Sequence, residues 1–155
     1  MFKKLLLVCF SVVGLMGCAQ LPKAERTPKV TFSKEATLGK VVVTKTELKH
    51  ITLEIQNTSN DILEVVWKES SINNSAPFIT GQKYADSTAP MPNAILAPTS
   101  DLTVEIYPSN SIYHDQYWNI KDLKYPANVV LKLKQGTKEE FVVIKVDSVV
   151  TEQTK

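Results

Sequence analysis

Over most of its length the chain alternates apolar and polar residues with a period of two. Ile51, Leu53 and Ile55 alternate with Thr52, Glu54 and Gln56, and Leu63, Val65 and Trp67 with Glu64, Val66 and Lys68. Such a pattern turns one face of a strand toward a core and the other toward water. Leu102, Val104 and Ile106 repeat it until Pro108, and Val129, Leu131 and Leu133 follow, opposed by Lys132 and Lys134. Val142, Ile144 and Val146 come next, while the β-branched run Val41–Val43 after Gly39 adds a further strand. The short polar residues Asn57–Asp61 carry turn chemistry, so the first two runs are expected to pair as a hairpin. Gln135-Gly136-Thr137-Lys138 predicts a second hairpin, in which Glu139 and Glu140 lie across the turn to balance Lys132 and Lys134. Trp67 is in phase with Leu63 and Val65 and is expected in the core. No long stretch carries a 3.6-residue period; short helical turns are expected only at Ser71–Asn74 or Asn119–Leu123.

Strands with turn signals between them predict an all-β domain: an antiparallel, immunoglobulin-like β-sandwich of about seven strands. A small closed barrel is the alternative, because period-two alternation is common to both.

The first residues break this pattern. Met1-Phe2-Lys3-Lys4 is a positive start, and Leu5–Met16 is an apolar or small run. That run is too short for a bilayer crossing, which needs roughly 20 residues, and reads as a secretory signal peptide. Leu15-Met16-Gly17-Cys18 resembles the lipobox of bacterial lipoproteins. The resemblance implies cleavage before Cys18, with Leu15 and Gly17 as recognition positions. Cys18 would then carry diacylglycerol and an N-acyl chain, the only non-protein groups expected. By the same resemblance, Ala19 in place of an aspartate implies the outer membrane, on its periplasmic side. Two or more acyl chains hold a protein stably where one holds it marginally. The expected organisation is therefore a signal peptide over 1–17, a lipidated cysteine and polar, proline-bearing linker over 18–34, and a sandwich over 35–155. The alternating Val30 and Phe32 leave part of that linker able to pair as a first strand.

Charge and composition then exclude several kinds of chemistry. Lys+Arg is 18 against 16 for Asp+Glu, and removal of Lys3 and Lys4 with the leader leaves 16 against 16. A neutral chain lacks the excess of cations that phosphate neutralisation requires, so nucleic acid is not an expected partner. Of the two cysteines, Cys9 falls in the leader, leaving Cys18 without an internal disulfide partner. His50 and His114 are the only histidines, too few for a zinc site built of four nitrogen or sulfur ligands, and no metal is expected. Glycine-rich phosphate loops and a G-x-S-x-G nucleophile elbow are absent from the sequence.

Candidate binding residues lie in two stretches that do not read as strands. Gly81–Ser100 holds Tyr84, Asp86 and three prolines, and Ser109–Tyr125 gathers Tyr113, His114, Asp115, Tyr117 and Trp118. Long connections in compact domains are often functional, and Trp and Tyr dominate contact hot spots. Aromatics near strand ends also commonly seal the open edge of a sandwich core. His114-Asp115, with Ser109 and Ser111 nearby, is the one sequence-local arrangement that a hydrolase could use.

Between Trp67 and Pro108, the order Trp67, Gly81, Tyr84-Ala85, Pro90, Pro92, Pro98 and Ile106-Tyr107-Pro108 resembles small β-rich bacterial lipoproteins, a resemblance that implies no particular activity. The resulting expectation is a non-catalytic, membrane-anchored lipoprotein whose sandwich binds a protein or glycan of the envelope. Tyr84, Asp86, Tyr113, His114, Tyr117 and Trp118 are its expected contact residues. The alternatives are an inhibitor of a periplasmic or host enzyme and a His114-dependent envelope hydrolase.

Overall fold

The computed structural model describes residues 29–147. Leu15, Gly17, Cys18 and the linker up to residue 28 lie outside the described residues. The fold is all-β and antiparallel, with twelve strands among the described residues. These are β1 (Lys29–Lys34), β2 (Lys40–Thr46), β3 (Ile51–Gln56), β4 (Leu63–Val65), β5 (Ser71–Ile72) and β6 (Pro77–Ile79). Then come β7 (Ala94–Leu96), β8 (Asp101–Pro108), β9 (Ile112–His114), β10 (Trp118–Ile120), β11 (Ala127–Gln135) and β12 (Lys138–Asp147).

Two sheets form the sandwich. One runs β1-β12-β11-β4-β7, with β5 also pairing β11; the other runs β2-β3-β8-β6. Strands β9 and β10 form a separate two-stranded ribbon. Ile51, Leu53 and Ile55 from one sheet are fully buried together with Val129, Leu131, Leu133, Val142 and Ile144 from the other. Fully burying each such aliphatic side chain contributes about 1.5–3 kcal/mol, so the alternation itself drives the layering. The sheets end separately in β1, β7, β2 and β6 and do not close into a barrel. Short or lysine-bearing edges such as β7 and β2 discourage edge-to-edge pairing with other chains.

Several expectations are corrected. The Ile51–Gln56 and Leu63–Val65 runs do not pair with each other: β3 lies between β2 and β8, whereas β4 pairs with β11 and β7. Alternation specifies which face is buried but not which neighbour supplies the hydrogen bonds, so the turn after β3 carries the chain across to the other sheet. The strand count rises from about seven to twelve because short strands occupy the stretches that read as loops. Ser71–Asn74 forms β5 and a tight turn rather than a helical turn, and Asn119 and Ile120 lie in β10. Val30 and Phe32 pair with Val146 and Ile144, so Lys29–Lys34 form the first strand that their alternation allowed. Trp67 is buried as expected, in a 3-10 turn that follows β4.

The β11–β12 hairpin forms with Gln135 opposite Lys138. Gly136, at φ 58°, supplies the positive angle that the first central position of a tight II′ hairpin turn requires. Lys132 lies between Glu139 at 2.6 Å and Glu69 at 3.0 Å. Glu140 does not join that balance. It pairs with Leu133, in phase with the inward-facing Val142 and Ile144. From there its carboxylate accepts the Thr37 and Leu38 backbone N–H groups at 2.9 and 2.8 Å and the Thr37 hydroxyl at 2.6 Å.

Candidate functional site

The two candidate loops converge at one end of the sandwich. Strands β6 and β8 pair with Phe78 opposite Tyr107. Both rings follow from the alternation: Ile79 and Ile106 turn inward, so Phe78 and Tyr107 stand on the outer face. Phe78 is nevertheless only 2% exposed, although it lies outside the main core. Its cover is aromatic. Tyr84, in the 3-10 turn Tyr84–Asp86, stacks on Phe78 at 5.5 Å between ring centroids, and Tyr107 meets Phe78 edge-on at 6.0 Å.

The pile continues through both loops. Trp118 stacks on Tyr84 at 6.2 Å, and His114 meets Trp118 edge-on at 4.9 Å. His114 and Trp118 are directly opposite one another in the β9–β10 ribbon, which is why their rings meet. At the other end of the row, His50 lies 5.0 Å from Tyr107. Six rings from four separate segments therefore form a continuous row, His50–Tyr107–Phe78–Tyr84–Trp118–His114. Aromatic pairs at such spacings are each worth about 0.5–1.5 kcal/mol beyond the area they bury.

Each expected contact residue can now be placed. Tyr84, His114 and Trp118 come together in the row. Asp86 closes the Tyr84 turn and is exposed. Tyr113 pairs with Asn119 on the other face of the ribbon, where Lys121 Nζ sits 5.3 Å over its ring, so it does not join the row. Tyr117 is at the ribbon tip, 75% exposed. The tip is held by Asp115, whose Oδ1 accepts the Tyr117 N–H at 3.0 Å and the Asn119 amide at 3.2 Å. The Tyr117 N–H holds the Asp115 carboxyl below its ordinary range, with His114 a smaller influence.

Three row members escaped the sequence reading: His50, Phe78 and Tyr107. The available signal was Tyr107, which is out of phase with Val104 and Ile106 and so had to stand on the outer face. A carboxylate sits beneath this part of the row. Glu105 accepts the Thr80 hydroxyl at 2.7 Å and the Tyr107 hydroxyl at 3.1 Å, and His50 Nε2 is 3.7 Å from it. The Thr80 hydroxyl holds the Glu105 carboxyl low, whereas burial pushes the Tyr107 hydroxyl up.

The two serines near His114 in sequence bond elsewhere among the described residues. Ser109 Oγ is 2.9 Å from Ser75 Oγ, and the Ser111 hydroxyl donates to the Pro108 carbonyl at 2.7 Å. Among the described residues no group of three or more His, Cys, Asp and Glu side chains converges as a metal site would require.

The opposite end of the sandwich is polar. Asn57, buried there, donates through Nδ2 to the carbonyls of Asp61, Ala97 and Leu96 at 2.7, 3.0 and 3.1 Å. Its Oδ1 accepts the Ser59 hydroxyl and N–H at 2.8 and 3.1 Å. A shallow depression of about 290 Å³ lies over it, lined by Gln56, Asn57, Thr58, Thr99, Ser100 and Asp101. The Asn57 amide is consumed by the fold, while the other side chains that line the depression are polar as well.

Comparisons of the chain with protein-family models, with curated proteins and with solved structures find no match.

Proposed function

We propose that this chain is a non-catalytic bacterial lipoprotein, anchored through acyl chains on Cys18 to the periplasmic side of the outer membrane. Its sandwich presents an aromatic end to a protein or glycan of the cell envelope. The leader supports the anchor: a positive start, a short apolar run and Leu15-Met16-Gly17-Cys18 occur in that order. The observation that carries the binding role is the convergence of two sequence-distant loops into one row of rings, flanked by the exposed Tyr117 and Tyr113. Aromatic rings at such an end are the usual anchors of recognition. An immunoglobulin-like arrangement belongs to the same reading, supported by consecutive strands that change sheets, as β3 and β4 do.

Between the two partner classes, stacking favours a protein. Tyr84 stacks with both Phe78 and Trp118, and Trp118 also meets His114, so part of each ring's surface is already engaged. A sugar ring needs a free aromatic face, whereas a protein pocket accepts ring edges and a projecting tyrosine.

Capture from detergent-solubilised envelopes tests the reading. The intact chain should retain an envelope protein that Tyr117→Ala loses, while circular dichroism stays unchanged because Tyr117 is a surface side chain. Cys18→Ser is the mislocalised control. Retention unaffected by Tyr117→Ala and Trp118→Ala would remove the aromatic end from the binding role. A Trp118 fluorescence shift with peptidoglycan fragments would move the partner to the glycan class.

A further inference from the structure

The aromatic end is also the end at which the described chain begins. Lys29, the first residue of β1, pairs with Asp147, the last of β12, and Val146 pairs with Ala127 at the start of β11. Just before β11, the Tyr125 hydroxyl donates to the Glu47 carbonyl at 2.8 Å, and the Leu123 N–H donates to the Leu48 carbonyl at 2.6 Å. The β2–β3 turn therefore sits at this end. So does the end of β8, since Ile51 pairs with Ile106, and the β9–β10 ribbon that follows it, tied back by Lys121 N–H to the Ser111 carbonyl at 2.9 Å.

Exposed apolar side chains are concentrated in the same place. Among the described residues, Leu48 (59% exposed), Tyr84, Tyr113, Tyr117 and Trp118 belong to this end, whereas Ile62, Ile95 and Phe141 are scattered elsewhere. Charge there is balanced in number: Lys49, Lys83, Lys121 and Lys124 against Glu47, Asp86, Asp115 and Asp122. Amphipathic Trp and Tyr rings with an adjacent Leu suit the headgroup level of a bilayer, where one part of each ring is apolar and the other wet.

We infer that the aromatic end rests on the headgroup layer of the membrane that holds the anchor, with Trp118, Tyr117 and Leu48 as its foot. This rests on the anchoring half of the reading above and adds regulation to its binding half, because lipid and partner then compete for one face. The length of chain permits it. Ten residues lie between Cys18 and Lys29, eleven Cα-to-Cα steps, a reach of at most roughly 36–40 Å at 3.3–3.6 Å per step. A tether that short holds the domain at an effective concentration in the millimolar range, so even weak affinity for lipid keeps it docked. Balanced charge makes docking independent of anionic lipid and of salt.

The test uses the acylated chain in phosphatidylcholine vesicles, with and without bromine high on the lipid chains. Trp118 emission should be quenched by brominated lipid, equally at low and high salt. In Trp118→Phe the remaining emission, from the buried Trp67, should be unquenched. Leu48→Ser with Tyr117→Ala, both surface changes, should relieve quenching in a chain that keeps Trp118. Equal emission from both kinds of vesicle, with the protein floating alongside them, would overturn docking and leave the anchor standing. Protein that does not float with vesicles at all would overturn the anchor and docking together. Trp118 emission that responds to peptidoglycan fragments or an envelope protein but not to bromine would assign the face to that partner alone.

Discussion

The two ends of the sandwich are closed by different chemistry. At the end holding the β11–β12 turn, buried polar groups do the closing: Asn57 ties the loop after β3 to the carbonyls of Leu96 and Ala97, and Glu140 gathers the Thr37–Leu38 backbone. Gly39 follows that loop with almost no room to spare, since a Cβ there would meet the Gln56 carbonyl oxygen at 2.7 Å and Leu63 Cδ2 at 2.9 Å. At the other end, rings do the closing, and they spill outward. Among the described residues no buried side-chain N or O lacks a partner, so the buried polar groups that close this end are satisfied within the fold. The aromatic end satisfies its inner rings and leaves outer ones in water. The two ends are thus closed by different interactions, hydrogen bonds at one and ring packing at the other.

The largest test of that difference is Phe78→Ala. Removing the ring on which Tyr84 stacks and against which Tyr107 packs should cost about 3–5 kcal/mol, read as a lowered midpoint in urea. If the cost were near zero, the row would be surface decoration rather than a second small core. Next comes Asn57→Ala at the polar end, which strands three carbonyls and should cost about 1–3 kcal/mol in the same measurement. Near-UV signals from Trp118 should stay unchanged in that variant, because the aromatic end does not share its bonds.

The smallest expected effect carries a pH signature. Burial alone would raise the Glu140 carboxyl, but the Thr37 hydroxyl and the Leu38 and Thr37 N–H groups outweigh it and hold the group below its ordinary range. A depressed folded-state pKa contributes stability above the ordinary glutamate range, and that contribution disappears as pH falls through the lower folded value. Glu140→Gln should therefore cost about 1–2 kcal/mol at neutral pH. The gap to the parent should narrow on acidification and close at low pH. A gap independent of pH would mean that the side chain acts there by shape alone.

Legibility in the sequence followed the range of the interaction. The β11–β12 hairpin was readable because its turn and both alternating arms are contiguous. Glu140 was half-readable: its phase with Val142 and Ile144 marks it as inward, but nothing local names Thr37 as its partner. The β3–β4 pairing was misread because a polar turn between two alternating runs looks the same whether the chain folds back or crosses to another sheet. Tyr84, His114 and Trp118 were identified as residues, yet their alignment into one row depends on Phe78, in a short strand that local pattern did not reveal. Tyr113 was grouped with them by sequence proximity, and the two-residue period of the ribbon turned it to the other side.

Taken alone, the sequence determined an all-β antiparallel domain, the residues that fill its core and the second hairpin. Those properties are written in neighbours along the chain, through alternation and turn residues. Tertiary structure decided which strands share a sheet, which end is sealed by hydrogen bonds, and that the aromatic row stands beside the point where β1 begins. Each of these depends on contacts between segments far apart in sequence, where many pairings satisfy the same alternation and only simultaneous packing of both sheets selects one.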